Sequence, residues 1–151
     1  MTKIIDLEKI AIMRLRDGAE ISKRYYDKPL MLCYSGGKDS DIILDLAIKS
    51  GIEFEVQHSH TTADAPETVY HIRNKFKELE SKGIKCNIDM PRYKGKPTSM
   101  WSLIVQKGIP PTRLVRYCCA ILKETGGKNR AIATGVRRAE KHEKTVEGNN
   151  R

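Results

Sequence analysis

The chain has 151 residues, of which 39% are hydrophobic and 31% charged. This composition is ordinary for one soluble domain that buries about two thirds of its unfolded surface, and no apolar run approaches the roughly 20 residues that cross a bilayer, so a membrane-spanning protein is excluded. The formal net charge is +9, and the excess lies in residues 91–151, which carry 14 basic and 4 acidic side chains, whereas residues 1–90 carry 14 and 15.

The basic second half leaves three explanations open. It can be a solvated basic face, a nucleic-acid surface, or a surface that faces a bound polyphosphate. The first residues become charged without the apolar core of a signal peptide, so we expect a cytoplasmic location.

The first predicted element is a helix. Residues 6–25 place apolar side chains among charged ones at spacings that mostly suit an amphipathic helix, with Gly18 as a point of interruption. We assign residues 1–27 to this helix and expect it to pack beside the core. Residues 28–144 would then form a nucleotide-binding domain, and residues 145–151 a disordered tail.

A strand-to-helix turn follows the first helix. An apolar run over residues 29–34 predicts a buried strand, and residues 42–47 predict a helix by their apolar spacing. The turn between them reads Ser35-Gly36-Gly37-Lys38-Asp39-Ser40. Adjacent glycines allow close backbone approach to an anion, and the helix N-terminus adds partial positive charge. The pattern is neither a Walker loop nor a dinucleotide fingerprint, and it predicts a cradle for a phosphate or pyrophosphate.

This hexapeptide resembles the signature of the PP-loop, or adenine nucleotide alpha hydrolase-like, superfamily. Its members include ATP pyrophosphatases, tRNA-thiolating enzymes and phosphoadenosine phosphosulfate (PAPS) reductases. The resemblance implies that residues 35–40 hold the phosphate or phosphosulfate end of ATP, PAPS or adenosine phosphosulfate (APS). It also makes Lys38 and Asp39 catalytic candidates, where Asp39 would orient either the loop or an ion, with Mg²⁺ as the candidate ion.

Residues 52–58 alternate as a second strand, and a polar loop over residues 59–68 follows it. Loops at the carboxyl ends of neighbouring strands converge in doubly wound sheets, so this loop should face residues 35–40. His58 and His60 would share a strand face, and with Asp64 they form a candidate metal-ligand set. Hydrogen bonding in the cleft is the interpretation that we favour.

Asp64-Ala65-Pro66-Glu67-Thr68 resembles the second motif of the PAPS reductase family. The resemblance implies nucleotide contacts here, although Thr-Thr-Ala-Asp stands where the family more often has Asp-Thr-Gly. The residues that we assign to nucleotide contacts in this loop are His60, Thr62, Asp64 and Glu67.

Residues 84–90 predict a third strand, and residues 92–97 a basic loop that is either a solvated turn or a phosphate contact. A short helix follows, capped by Thr98 or Ser99 and ending near Gly108. We expect its Trp101 to lie in the core rather than to stack on an adenine.

The cysteines divide into two kinds. Cys33 and Cys86 stand alone inside predicted strands, where we expect small buried side chains. Cys118 and Cys119 are adjacent, cannot easily bridge to each other, and indicate a reducing compartment. They resemble the Cys-Cys of the same family, which in an iron–sulfur subclass binds a [4Fe–4S] cluster together with a second Cys-x-x-Cys. This chain has no second pair, so we expect the two as thiol or ligand candidates without a cluster of their own.

Residues 131–136 predict a fourth strand, and the following segment resembles the family's Gly-hydrophobic-Arg-Arg sequence. The resemblance implies that Arg137 contacts the substrate's phosphate or sulfate as a catalytic group, with Gly135 and Arg138 beside it. Arg suits this role because its planar fork binds oxyanions with two hydrogen bonds. Lys141 stands where the family usually has Ser, a departure that nothing in the sequence explains. The Glu-Cys-Gly that carries the catalytic Cys of PAPS reductases is absent, so we do not expect reduction of PAPS by this chain.

The predicted fold is a three-layer α/β/α sandwich with a mostly parallel sheet in the order 3-2-1-4. The leading hypothesis for function is an adenine-nucleotide-binding enzyme of the PAPS reductase family, acting on ATP or a sulfonucleotide. One alternative is an ATP-dependent sulfur-transfer enzyme that modifies tRNA or DNA, and another is a non-catalytic nucleotide-binding subunit or sensor. A nucleic acid or a protein as acceptor, and a homo-oligomer, are open as partners.

Overall fold

The computed structural model describes residues 6–124 and 126–136. In chain order the described elements are α1 (Leu7–Tyr26), β1 (Leu30–Cys33), α2 (Lys38–Ser50), β2 (Phe54–Ser59), α3 (Pro66–Ser81), β3 (Cys86–Asp89), β4 (Arg92–Tyr93), β5 (Lys96–Pro97), α4 (Met100–Lys107), α5 (Tyr117–Leu122) and β6 (Ile132–Ala133). No helix among the described residues is long and apolar enough to cross a membrane. The predicted tail, residues 145–151, lies outside the described part of the chain.

Helix α1 is continuous from its first residue to its last. Asp6 caps it by accepting a hydrogen bond from the Lys9 amide at 3.1 Å, and Asp27 ends it in the left-handed conformation, with φ of 51°. The predicted interruption at Gly18 is wrong. A Cβ at Gly18 would stand 3.8 Å from the Leu30 side chain, so this glycine lies where the helix passes over β1.

The main sheet is parallel, in the order β3-β2-β1-β6. Since β6 is the fourth strand of this sheet, the predicted order is confirmed. Three successive residues of β1, Leu30, Met31 and Leu32, are all buried, which requires cover on both faces of the strand. The helices provide that cover and complete the three-layer sandwich.

The core lies between the sheet and its helices. Strand β2 buries Phe54 and Val56 on alternate positions, and α3 buries Ile72, Phe76 and Leu79 at helical spacing. Burial of each such side chain contributes about 1.5–3 kcal/mol. The core therefore holds α3 close to the carboxyl ends of β1 and β2.

An ion-pair cluster lies at the amino ends of the strands, on the opposite side of the sheet from their carboxyl ends. Arg130, just before β6, places Nη1 2.6 Å from Glu55 Oε2 and donates from Nη2 to the Pro29 carbonyl oxygen at 3.1 Å. Lys85 donates to Glu55 Oε1 at 2.9 Å. These contacts link the start of β6 to β1, β2 and β3.

Two predictions in the basic region need correction. Residues 92–97 are not a simple loop, because β4 and β5 pair as an antiparallel hairpin. Trp101 is 69% exposed rather than in the core. In the two-turn helix α4 the buried position belongs to Leu103, and Trp101, two residues earlier, lies on another side of the helix.

Candidate functional site

The chain turns sharply between β1 and α2. Gly36 has φ of 77°, which strains other residues, and a Cβ there would lie 3.0 Å from Ile72 Cγ1 of α3. Gly37 is extended and precedes α2, and no side chain caps this helix. The amino end of α2 thus lies at the carboxyl ends of the strands. The N-terminus of a helix favours binding of an anion.

The hydroxyl groups of the loop have different roles. Ser40 is 5% exposed and donates from Oγ to the Gly37 carbonyl oxygen at 2.7 Å, so it braces the turn. Ser35 is exposed and its Oγ lies 3.4 Å from Ser40 Oγ. Lys38 is exposed and has no ion pair with any described residue. Ser35 and Lys38 are therefore the polar side chains that this turn presents to a ligand.

Tyr34 is buried next to the turn and makes contacts that support it, a role that was not identified from the sequence. Its ring is buried, and its hydroxyl donates to Asp41 Oδ1 at 2.6 Å and lies 3.4 Å from His71 Nε2. Burial, together with the hydrogen bond to the Asp41 carboxylate, raises the pKa of Tyr34. The side chain connects the end of β1 to α2 and α3. The Tyr just before Ser-Gly-Gly, with Asp41 seven residues on, was the available signal.

Gly135 lies against the same turn, and its assignment to the nucleotide site stays a prediction. A Cβ on Gly135 would stand 3.0 Å from the Asp39 carbonyl oxygen, so only glycine allows this approach. The chain after β6 therefore runs beside the first turn of α2. Arg137 and Arg138 follow within three residues and lie outside the described residues, so their roles stay predictions.

The second cluster of candidate residues lies at the carboxyl end of β2. His58 is 6% exposed, and its Nδ1 donates to the Tyr34 carbonyl oxygen at 2.9 Å. His60 donates its backbone N–H to the Asp89 carbonyl oxygen at 2.9 Å. Asp64 accepts the Thr61 amide at 3.2 Å, and its Oδ2 is 4.0 Å from His60 Nδ1. The two histidines and Asp64 thus converge, as expected.

Thr62 and Glu67, which we also predicted to contact the nucleotide, lie outside this cluster of three side chains. Thr62 has φ of 64° and accepts the Met100 amide on Oγ1 at 2.8 Å, so its hydroxyl ties the loop to the start of α4. Glu67 is exposed in the first turn of α3. Their assignment to the nucleotide stays a prediction.

The thiols of the chain are all free. Burial raises the pKa of Cys33, and burial with the nearby Glu80 raises the pKa of Cys86 to about 11. Burial and the adjacent Cys118 raise the pKa of Cys119. These three thiols therefore stay protonated at neutral pH, which lowers their reactivity as nucleophiles. Cys118 and Cys119 lie on α5, which packs against α4 and β4.

A basic and aromatic surface lies on that side of the molecule. Lys107 Nζ donates to the Tyr93 hydroxyl at 3.1 Å and lies 5.1 Å from the Tyr93 ring centre and 5.9 Å from that of Tyr117. We call this the hairpin surface and define it by Tyr93, Lys94, Lys96, Lys107 and Tyr117. Residues 91–136 contain nine Lys or Arg and a single acidic residue.

A cavity of about 700 Å³ lies beside the turn. Asp39, Thr134 and Gly135 line one part of it, and apolar residues of α1, α2 and β6 line most of the rest. The turn therefore borders an apolar space as well as the open edge of the sheet.

Comparison with protein families gives one match. The family model of the phosphoadenosine phosphosulfate reductase domain matches residues 29–148. The matched range begins just before β1 and includes the turn, the β2 loop and the adjacent cysteines. A search of curated proteins found no match.

Proposed function

The chain belongs to the phosphoadenosine phosphosulfate reductase domain family, and from this premise we propose that residues 35–40 bind the phosphate or phosphosulfate end of an adenine nucleotide. The observation that carries the proposal is the turn between β1 and α2. It combines a left-handed glycine, an uncapped helix start and an exposed lysine at the carboxyl edge of a parallel sheet.

Each group of the turn has a role in this proposal. The backbone amides and partial charge of the α2 N-terminus attract the anion, and the Lys38 ammonium neutralises charge on its oxygens. The Ser35 hydroxyl donates a further hydrogen bond. Gly135 lets the chain after β6 come close, which would bring Arg137 to the opposite side of the same oxyanion.

We propose ATP or a sulfonucleotide as the nucleotide, since the family implies a sulfonucleotide such as PAPS. With ATP, an acceptor nucleophile would attack the α-phosphorus, and pyrophosphate would leave with the bridging electron pair. Lys38 and Arg137 would stabilise the charge on that leaving group. Asp39 is the candidate to orient Mg²⁺, which would supply further charge neutralisation.

Calorimetric titration with ATP, AMP, APS and PAPS tests the proposal and identifies the nucleotide. The matched pair of variants is Gly37→Asp and Gly37→Ala. A Cβ at Gly37 stands 3.6 Å from Ser35 Oγ, an ordinary contact, so both variants should fold. We expect the added carboxylate to weaken binding by about 100-fold or more through charge repulsion, and Gly37→Ala to keep most of it. Equal affinity of a folded Gly37→Asp variant and wild type would show that the nucleotide binds elsewhere.

The hairpin surface favours a second candidate function, an ATP-dependent sulfur transfer to tRNA or DNA. Exposed cations interleaved with aromatic rings are the features by which proteins bind a nucleic-acid backbone and stack on its bases. Cys118 and Cys119 are the candidate sulfur carriers. Salt-dependent binding of RNA or DNA is the measurement for this candidate.

A further inference from the structure

Three side chains at the carboxyl end of β2 form a cluster that nucleotide binding alone does not explain. His58, His60 and Asp64 each offer one ligand atom, and these atoms lie within 4.8 Å of one another. We infer that the three side chains bind a divalent transition-metal ion of the zinc type. This inference goes beyond the proposed function and does not depend on it.

The buried histidine is the main observation. Nδ1 of His58 donates to the Tyr34 carbonyl oxygen, so a neutral ring carries its lone pair on Nε2. Nε2 is buried and has no hydrogen-bond partner within the described residues. Hydrogen bonding in the cleft therefore does not account for this nitrogen. A metal-binding histidine has the same arrangement, with one nitrogen held by a carbonyl and the other left for the ion.

The distances suit a metal after a small movement. Two ligand atoms about 2.1 Å from zinc at a tetrahedral angle are about 3.4 Å apart. His60 Nδ1 and Asp64 Oδ2 are 4.0 Å apart, and the whole set lies within 4.8 Å. Both residues belong to the β2 end and its loop and are partly exposed, so closing by about 1 Å requires no change in the core.

The donor set selects the kind of ion. Two imidazole nitrogens and one carboxylate favour zinc or another late first-row metal over Mg²⁺ or Ca²⁺, which prefer oxygen ligands. The Asp64 charge offsets part of the charge of the ion. Arg73 lines a cavity of about 40 Å³ beside His58 and His60. Its side chain is exposed, so solvent screens most of the repulsion between its charge and a bound cation.

Zinc titration of the full, untagged and metal-stripped chain, without nucleotide, tests the inference separately from nucleotide binding. Calorimetry should give one ion per chain, and Co²⁺ in its place should give the visible absorption of a tetrahedral site with nitrogen ligands. We expect His60→Ala and Asp64→Asn each to weaken binding by more than about 100-fold, beyond the loss caused by changing a residue that only supports a ligand. His58→Asn should do the same, while its side-chain amide can still donate to Tyr34.

Two control variants separate this cluster from other metal ligands. His71→Ala removes an exposed histidine outside the cluster and should leave zinc affinity unchanged. Replacing Cys118 and Cys119 by Ser should also leave it unchanged. Failure of the wild-type chain to bind zinc would overturn the inference. Zinc binding that survives His60→Ala and Asp64→Asn but is lost with the cysteines would overturn it too, by moving the ion to α5.

Discussion

At the scale of single residues, Tyr34 and Glu55 show which contacts hold the carboxyl and amino ends of the strands in place. Tyr34 fixes the carboxyl end of β1, since its hydroxyl reaches Asp41 on α2 and approaches His71 on α3. Glu55 fixes the amino ends of the strands through its ion pairs with Arg130 and Lys85. Each residue connects segments that are far apart in the sequence.

Glu55 makes stability depend on pH. Burial raises its pKa, but hydrogen bonds and charges from Lys85 and Arg130 outweigh burial and hold the pKa below its usual value of 4.5. The ionised form is therefore favoured by folding, so the contribution is fully present above that usual value. It is lost as the pH falls through the lowered pKa of the folded state.

We expect Glu55→Gln to lower the free energy of unfolding by about 1–3 kcal/mol at neutral pH, because it leaves Arg130 without its charge partner. The difference from wild type should shrink as the pH falls below 4.5 and through the lowered pKa of Glu55, because the wild-type carboxylate then also becomes protonated. Denaturant unfolding at several pH values measures both effects. Glu53→Gln, an exposed neighbour, is the control and should have little effect. A difference that stays constant with pH would contradict this account.

Residue-scale contacts of this kind were beyond sequence reasoning. The spacing of His58, His60 and Asp64 indicated that they could meet, and they do converge, with His58 on β2 and the other two in the loop that follows it. The contacts of Tyr34 with His71 and of Glu55 with Arg130 join residues 37 and 75 positions apart, and such pairs leave no periodic pattern in the sequence. His71, for example, is exposed, yet its Nε2 lies 3.4 Å from the Tyr34 hydroxyl.

At the scale of elements, the site depends on how closely the chain after β6 approaches α2. The Gly135 backbone lies beside the carbonyl oxygen of Asp39 in the first turn of that helix. This contact fixes the distance between the first turn of α2 and the chain after β6. A side chain at this position would increase that distance.

We expect Gly135→Ala to weaken nucleotide binding by about tenfold while costing only about 1–2 kcal/mol of stability, since its Cβ would meet backbone at 3.0 Å. Calorimetry and thermal unfolding together measure the two changes. Gly18→Ala is the matched control. Its Cβ would meet the Leu30 side chain at an ordinary 3.8 Å, so the substitution should stabilise helix α1 by about 0.5–1 kcal/mol and leave binding unchanged. Undiminished nucleotide affinity in Gly135→Ala would separate β6 from the site.

Most elements followed from apolar periodicity. The buried run of β1, the alternation of β2 and the helical faces of α2 and α3 all predicted their elements within a few residues. The hairpin of β4 and β5 was missed because two-residue strands have no period to detect. Trp101 was misplaced because a helix of two turns leaves room for one buried position, which Leu103 occupies.

At the scale of the whole molecule, charge is divided between two regions. The N-terminal 90 residues are almost neutral, and the basic excess of the described chain gathers in residues 91–136, which include the hairpin surface. Sequence counting located this excess but not its arrangement around Tyr93 and Tyr117. That arrangement is the observation on which the proposed nucleic-acid binding rests.

If a nucleic acid binds the hairpin surface, the logarithm of affinity for single-stranded RNA should fall linearly with the logarithm of salt concentration. Lys107→Ala and Lys94→Ala should each reduce the magnitude of that slope by about one. Lys75→Ala on α3, which removes a partly exposed lysine paired with Glu78, should leave the slope unchanged. Fluorescence anisotropy at several salt concentrations measures the slope. An absence of binding at low salt would remove this candidate function.

The shortness of β6 has a thermodynamic consequence. This strand contributes only Ile132 and Ala133 to the edge of the sheet, so its pairing with β1 opens at a lower free-energy cost than the longer pairing of β1 with β2. If a nucleotide binds at the turn and at Gly135, as we propose, it would bind only while β6 is paired. Nucleotide affinity and the local opening of β6 would then be linked. Binding would shift the population toward the state in which β6 is paired with β1.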